Sequence, residues 1–191
     1  MTQTLEKSQD QRLLHSGINW QQFKLIQKGF AASPGIRLFY DKGEVEILAV
    51  SQDHETISRL IGILLAFYLV RKKIEFKPTG SFTQEKEGVA SAQAGESYFI
   101  GKTSGKIPDL SIEVVFTSGN ERKLNRYRAL EVPEVWFWED GVFALYHLQG
   151  SGYERIKKSE VLPDLDLGVL GKCLLSASST EAILEWETAI A

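Results

Sequence analysis

The sequence predicts an α/β fold, with a mixed central sheet flanked by helices. Three observations predict it. The stretch LIGILLAFYLV (60–70) is apolar nearly all round and reads as the middle of a buried helix. LSIEVVF (110–116) is rich in β-branched residues and reads as the strongest strand. Along the chain, helical and strand-like segments alternate in the order helix, hairpin, long helix, strands, helix, strands, helices.

The elements follow in order. Met1 to Ser16 is polar, so residues 1–17 are expected to form a flexible extension and 18–191 a single domain. INWQQFKLIQKGF (18–30) has apolar residues at helical spacing. IRLFY (36–40) and EVEILAV (44–50), linked by Asp41-Lys42-Gly43, read as a hairpin. Asp53 is placed as the N-cap of a helix running to Lys73, where Arg71-Lys72-Lys73 suits the negative end of the helix dipole. IEFKP (74–78) and SYFIG (97–101) read as strands; the small, polar residues 80–96 between them read mostly as loop. Thr117-Ser118-Gly119-Asn120 ends the 110–116 strand and opens a helix over 121–130. EVWFW, FALYHL and GYERIKK follow as strands, and 164–173 and 180–190 as helices.

Composition narrows the function classes. The chain has 191 residues, 43% hydrophobic and 25% charged, as in ordinary globular proteins. Its lone cysteine excludes an internal disulfide and a cysteine-rich zinc module. A net charge of -3 argues against nucleic-acid binding by bulk charge alone, while leaving room for a local basic groove. The polar start and the absence of a long enough apolar run predict a cytoplasmic protein with no membrane span.

Phosphate-loop, dinucleotide, nucleophile-elbow and HExxH motifs are absent. His15, His54 and His147 have no ligand spacing among themselves. His54 reads as a residue of a helix start. Trp136 and Trp138 read as packing residues. The informative passage is 107–138, which puts Asp109 and Glu113 on one strand and Arg122, Lys123 and Arg126 on the next helix. Carboxylates that hold a divalent cation beside a cation that orients water are the parts of a metal-dependent nuclease. The basic residues also read simply as a solvated helix face.

PDLSIEV, followed by TS, Lys123, Tyr127 and VPEVW, resembles the Uma-type restriction endonucleases, a family within the PD-(D/E)XK nucleases. YDKGEVEILAVSQDHETISRLI, GESYFIG and LEWETAI extend the resemblance from about residue 18 to the C-terminus. It implies a restriction-endonuclease-like domain that hydrolyses DNA phosphodiesters with Mg²⁺ and acts as a possible homodimer. Position by position, it implies Glu113 as metal ligand and catalytic residue and Lys123 as catalytic base or charge stabiliser. Glu46 is a further candidate carboxylate, and Arg122 and Arg126 are candidate DNA contacts. Glu113 and Lys123 are expected to meet across a concave surface with Glu46 as a third wall. The chain departs from the family at two places. Val115 stands where a lysine is usual, and Ala94-Gly95 stands where a Pro-Asp pair is implied. An aspartate restored at 95 is expected to face Glu113. Asp109 lies roughly 13 Å along the strand from Glu113 at about 3.3 Å per residue, too far to share an ion, and reads as a strand-entry residue. The alternative is a catalytically inactive member, kept as a nucleic-acid-binding or protein-interaction module.

Overall fold

The computed structural model describes residues 10–101, 104–116, 120–150 and 152–191. Residues 1–9, much of the expected N-terminal extension, and Thr117-Ser118-Gly119, part of the expected turn, lie outside them.

Two sheets carry the chain. The first is antiparallel and contains β1 (Gln11–Ser16), β2 (Ile36–Asp41), β3 (Glu44–Ala49), β5 (Thr83–Lys86) and β6 (Ala90–Gln93), in the order β1-β3-β2-β6-β5. The second contains β4 (Phe76–Pro78), β7 (Glu96–Ile100), β8 (Leu110–Val114), β9 (Glu134–Glu139), β10 (Val142–Gln149) and β11 (Gly152–Ile156), in the order β11-β10-β9-β8-β7-β4. It is mixed, because β8 and β9 run parallel. Parallel neighbours need a crossover, and α3 (Asn120–Leu130) supplies it. The other helices are α1 (Trp20–Gly29), α2 (Gln52–Arg71), α4 (Leu167–Cys173) and α5 (Ser179–Ala189).

Three expectations are corrected. Residues 11–16 are a strand. β1 pairs with β3 from Gln11↔Ala49 to Ser16↔Glu44, and Asp10 Oδ1 accepts the Ser51 N–H at 2.8 Å. As an edge strand it is largely exposed on both faces, so it needs no apolar alternation. Residues 80–96 contain the β5–β6 hairpin rather than being mostly loop. Its small residues are core: Ala90, Ala92 and Ala94 are fully buried in the cluster that contains Tyr127 and Leu130 of α3. The cap of α2 also shifts: Ser51 Oγ accepts the His54 N–H, and Asp53 lies in the first turn.

Strand alternation sorts β8 into two faces. Ile112 and Val114 join Leu60, Leu64, Tyr68 and Trp136 in the largest core, beneath α2. Val115, with Val135 and Phe137, packs in the α3 core. Ser111 and Glu113 share the parity of Val115, so a carboxylate points into the layer between β8 and α3. α5 closes the opposite layer, where Trp186 is buried in the α2 core and donates Nε1–H to Leu64 O at 2.7 Å. Four of Glu134's contacts hold the approach to α4. Its Oε1 accepts Trp136 Nε1–H and Ser159 Oγ–H, and its Oε2 accepts the N–H groups of Glu160 and Val161. Glu134, in the PEVW passage, is therefore a structural brace.

Candidate functional site

Three elements bring the expected site residues together. β8 carries Glu113, β3 carries Glu46, and the first turns of α3 carry Arg122, Lys123 and Arg126. Glu113 Oε1 accepts the Tyr127 hydroxyl at 2.6 Å, and Oε2 stands 3.9 Å from Lys123 Nζ. Burial and the adjacent Glu113 together raise the Tyr127 hydroxyl well above the ordinary tyrosine range. Glu46 Oε1 accepts from Arg12 Nε at 2.8 Å, and Oε2 from Arg126 Nη1 at 2.8 Å. Burial works to raise the Glu46 carboxyl, but Arg126, Arg12 and Lys123 outweigh it and hold it below its ordinary value. The Arg126 guanidinium also stacks 4.0 Å over Phe39.

Glu113 and Lys123 thus meet, but not across a concave surface. Glu113 is 0% and Lys123 4% exposed, because the Tyr127 and Leu130 face of α3 lies directly on the sheet. Two donors of Arg126 (Nε and Nη2) and Glu113 Oε2 are also sealed and have no hydrogen-bond partner among the described residues. Outside this layer, Asp41, Glu44, Glu46, Arg122, Asn125 and Arg126 line a cavity of about 310 Å³. Arg122 is exposed there, 3.7 Å from Glu44 Oε2. Asp109 takes no part: its Oδ2 accepts the Ile100 N–H at 2.9 Å, tying the ends of β7 and β8.

The donor set can be tested against Mg²⁺, which the resemblance implies. That ion demands near-octahedral oxygen ligands. Glu46 already has both oxygens on guanidinium groups, and Glu113 faces a phenol and an ammonium. Lys123, Arg126 and Arg12 leave the cluster richer in cations than in carboxylates. Among the described residues, no group of three His, Cys, Asp or Glu could hold a metal ion. These residues do not fit the ion.

Position 95 does not repair the set. A Cβ on Gly95 would stand 2.7 Å from Ser58 Oγ, 3.2 Å from Arg37 Nη1 and 3.2 Å from Ile112 O. The expectation that it would face Glu113 is therefore corrected: the chain bends between β6 and β7, and the side chain would enter a second polar cluster.

Sequence reasoning missed that second cluster. His54 is fully buried, with Nδ1 2.8 Å from Asp10 Oδ2 and Nε2 2.9 Å from Arg37 Nη1. Arginine has no acceptor, so Arg37 donates to Nε2 and the ring proton sits on Nδ1 facing Asp10. Burial works to raise the Asp10 carboxyl, but the His54 and Ser51 hydrogen bonds outweigh it and hold it below its ordinary value. Arg37 Nη2 pairs with Glu55 Oε1. Nearby, Glu96 is buried with Arg59 at 3.6 Å, and its carboxyl lies 3.2 Å from where a Gly62 Cβ would be. Burial pushes Glu96 up to about 7, against the pull of Arg59 and Arg37, with Glu55 adding to the rise. The one local signal was the i, i+4 spacing of His54 and Ser58 on α2.

The fold is one already seen in a solved structure. A crystal structure described as a putative nuclease belonging to DUF820 from Anabaena variabilis superposes with a TM-score of 0.50. The two are 14% identical, over 78% of this chain and 90% of that one. The chain belongs to the Uma2 family, described as "Putative restriction endonuclease", whose model matches residues 20–175. No protein of curated function matches the sequence. No helix among the described residues is long and apolar enough to cross a membrane.

Proposed function

We propose that this chain is a non-hydrolysing member of its family, a nuclease scaffold that serves as a cytoplasmic nucleic-acid-binding module. One observation carries the reading. The carboxylates that would hold a metal, Glu113 and Glu46, are committed to Tyr127, Lys123, Arg126 and Arg12, and position 95 is glycine. These pairings fill the α3–sheet layer, and the one oxygen of the two carboxylates left without a hydrogen bond among the described residues, Glu113 Oε2, faces the Lys123 ammonium. The family supports DNA as the partner, and the exposed Arg122 with Asn125 at the mouth of the cavity supplies phosphate-binding chemistry.

Three measurements on the full chain test this. Calorimetric titration with Mn²⁺ is expected to show no binding. Supercoiled DNA with Mg²⁺ or Mn²⁺ is expected to stay intact. Duplex DNA is expected to bind with an affinity that falls with salt and is weakened by Arg122→Glu. Metal-dependent cleavage lost in Glu113→Gln would replace this reading with the hydrolytic one, in which Glu113 and Lys123 are catalytic. Absence of salt-dependent DNA binding would remove the nucleic-acid partner.

A further inference from the structure

β1 is held by hydrogen bonds and charges rather than by a core. Leu13 and Leu14, its large apolar residues, are 56% and 39% exposed. Among the described residues, no β1 side chain joins a hydrophobic cluster. The strand lies at the edge of the first sheet, beside β3. Two side chains hold its N-terminal end inward. Asp10, 3% exposed, accepts the Ser51 N–H through Oδ1 and the His54 Nδ1–H through Oδ2, each at 2.8 Å. Arg12 grips Glu46 with two donors, Nε at 2.8 Å and Nη2 at 3.3 Å. At its C-terminal end the strand meets Gly17, which has a φ of 84° and open space where a Cβ would stand. Ile18, next along, donates its N–H to Gly43 O and packs against the Phe23 and Tyr40 cluster. The chain is therefore anchored from Ile18 onward, whereas residues 10–16 hang on the β3 ladder and on Asp10 and Arg12. A segment held in this way opens at a lower free-energy cost than the core strands.

We propose that β1 is a strap, hinged at Gly17, whose closure sets the charge of the α3 cavity, so that nucleic acid binds the closed form. The proposal rests on the nucleic-acid-binding role argued above and adds its regulation. The cavity wall carries three carboxylates, Asp41, Glu44 and Glu46, against two guanidinium groups, Arg122 and Arg126. Arg12 brings a third cation onto Glu46 and makes the balance even. With β1 open, Glu46 keeps Arg126 but loses Arg12, and the wall becomes net negative, which repels phosphate. Closure and binding are thereby linked, and linkage is reciprocal: the duplex that prefers the closed form also holds it closed. Asp10 does not line the cavity; its partners are Ser51 and His54. It acts on binding only through the strand. Asp10 and Arg12 are thus positioning residues rather than nucleic-acid contacts.

Amide hydrogen exchange of the full chain, with and without duplex DNA, tests the proposal alongside DNA affinity at low salt. The β1 amides bonded to β3 are expected to exchange ahead of those bonded between β2 and β3, and to slow when duplex is added. Asp10→Asn is expected to speed β1 exchange and to weaken binding, whereas the bulk effect of removing an acid is to tighten it. Asp10→Asn/Arg12→Gln keeps the net charge, and is expected to unprotect β1 and to weaken binding at least about fivefold. β1 exchange no faster than that of β2 overturns the strap, whatever the chain binds. Duplex that binds without slowing β1, or that binds the double variant as tightly as the native chain, overturns the coupling and leaves the nucleic-acid role standing. A native chain that binds no duplex overturns both.

Discussion

The Lys123 ammonium stands 3.9 Å from Glu113 Oε2, and both side chains are sealed between α3 and β8. In a catalytic site such a pair would face solvent and substrate; here it faces protein. Removing one charge strands the other in a low-dielectric layer, at a cost of about 3–5 kcal/mol. Lys123→Met and Glu113→Gln are each expected to destabilise the fold by that order. The double variant is expected to recover much of the loss. Urea unfolding of the four proteins checks this, and additive losses would refute the pairing.

Gly95 faces a crowded wall. Any Cβ there meets Ser58 Oγ at 2.7 Å, closer than such atoms approach without a shift, and overpacking of this kind costs about 1–3 kcal/mol. Gly95→Ala is expected to lower the melting temperature, and the added change Ser58→Gly to restore much of it. Ala94→Pro/Gly95→Asp is expected to destabilise further without creating Mn²⁺ binding, as calorimetry would read.

Glu96 makes stability pH-dependent in the direction opposite to most carboxylates. Its folded value is about 7 against an ordinary 4.5, so the folded chain holds this proton more tightly than the unfolded chain. The contribution is fully present below about 4.5 and is lost as pH rises through about 7, roughly 3 kcal/mol in all. Glu96→Gln is expected to match the native chain under acidic conditions and to exceed its stability at about pH 8. Denaturant titrations at both pH values check it, and a parallel pH dependence in the two proteins would refute it.

Glu134 gathers four donors on one carboxylate: Trp136 Nε1–H, Ser159 Oγ–H and the N–H groups of Glu160 and Val161. Glu134→Ala leaves them unpaired at about 1–3 kcal/mol for each one buried. It is expected to raise amide exchange at Glu160 and Val161 before exchange rises elsewhere. Unchanged exchange there would show that the segment is held by other contacts.

Much of the fold was legible because single segments carry their own periodicity. LIGILLAFYLV marked α2 as the core helix, although Ile63, Phe67 and Val70 on its outer side are exposed, and the alternation in LSIEVVF set Glu113 on the face opposite Ile112 and Val114. The meeting of Glu113 with Lys123 was legible for the same reason, since a strand and the helix that crosses back over it place them. What escaped had no local signature. Ala90, Ala92 and Ala94 look like loop residues, yet they are small because α3 lies close above them. β1 is an edge strand with polar residues on both faces, so its sequence resembles a loose tail. Asp10, Arg37, His54 and Glu96 come from four separate segments, and only the packing of both sheets against α2 makes them neighbours. Burial of the Glu113 pair was equally hidden, because the depth of a side chain depends on what packs above it.

The hydrogen bond from Trp186 to Leu64 O spans 122 residues of chain. During synthesis, the middle of α2 leaves the ribosome long before the ring that covers it. At about 5–20 residues per second the interval is roughly 6–25 s, whereas local collapse takes microseconds. For that time the most apolar segment of the chain lies half covered. The order of synthesis therefore leaves the middle of α2 without its last covering ring until the C-terminal helix has been made.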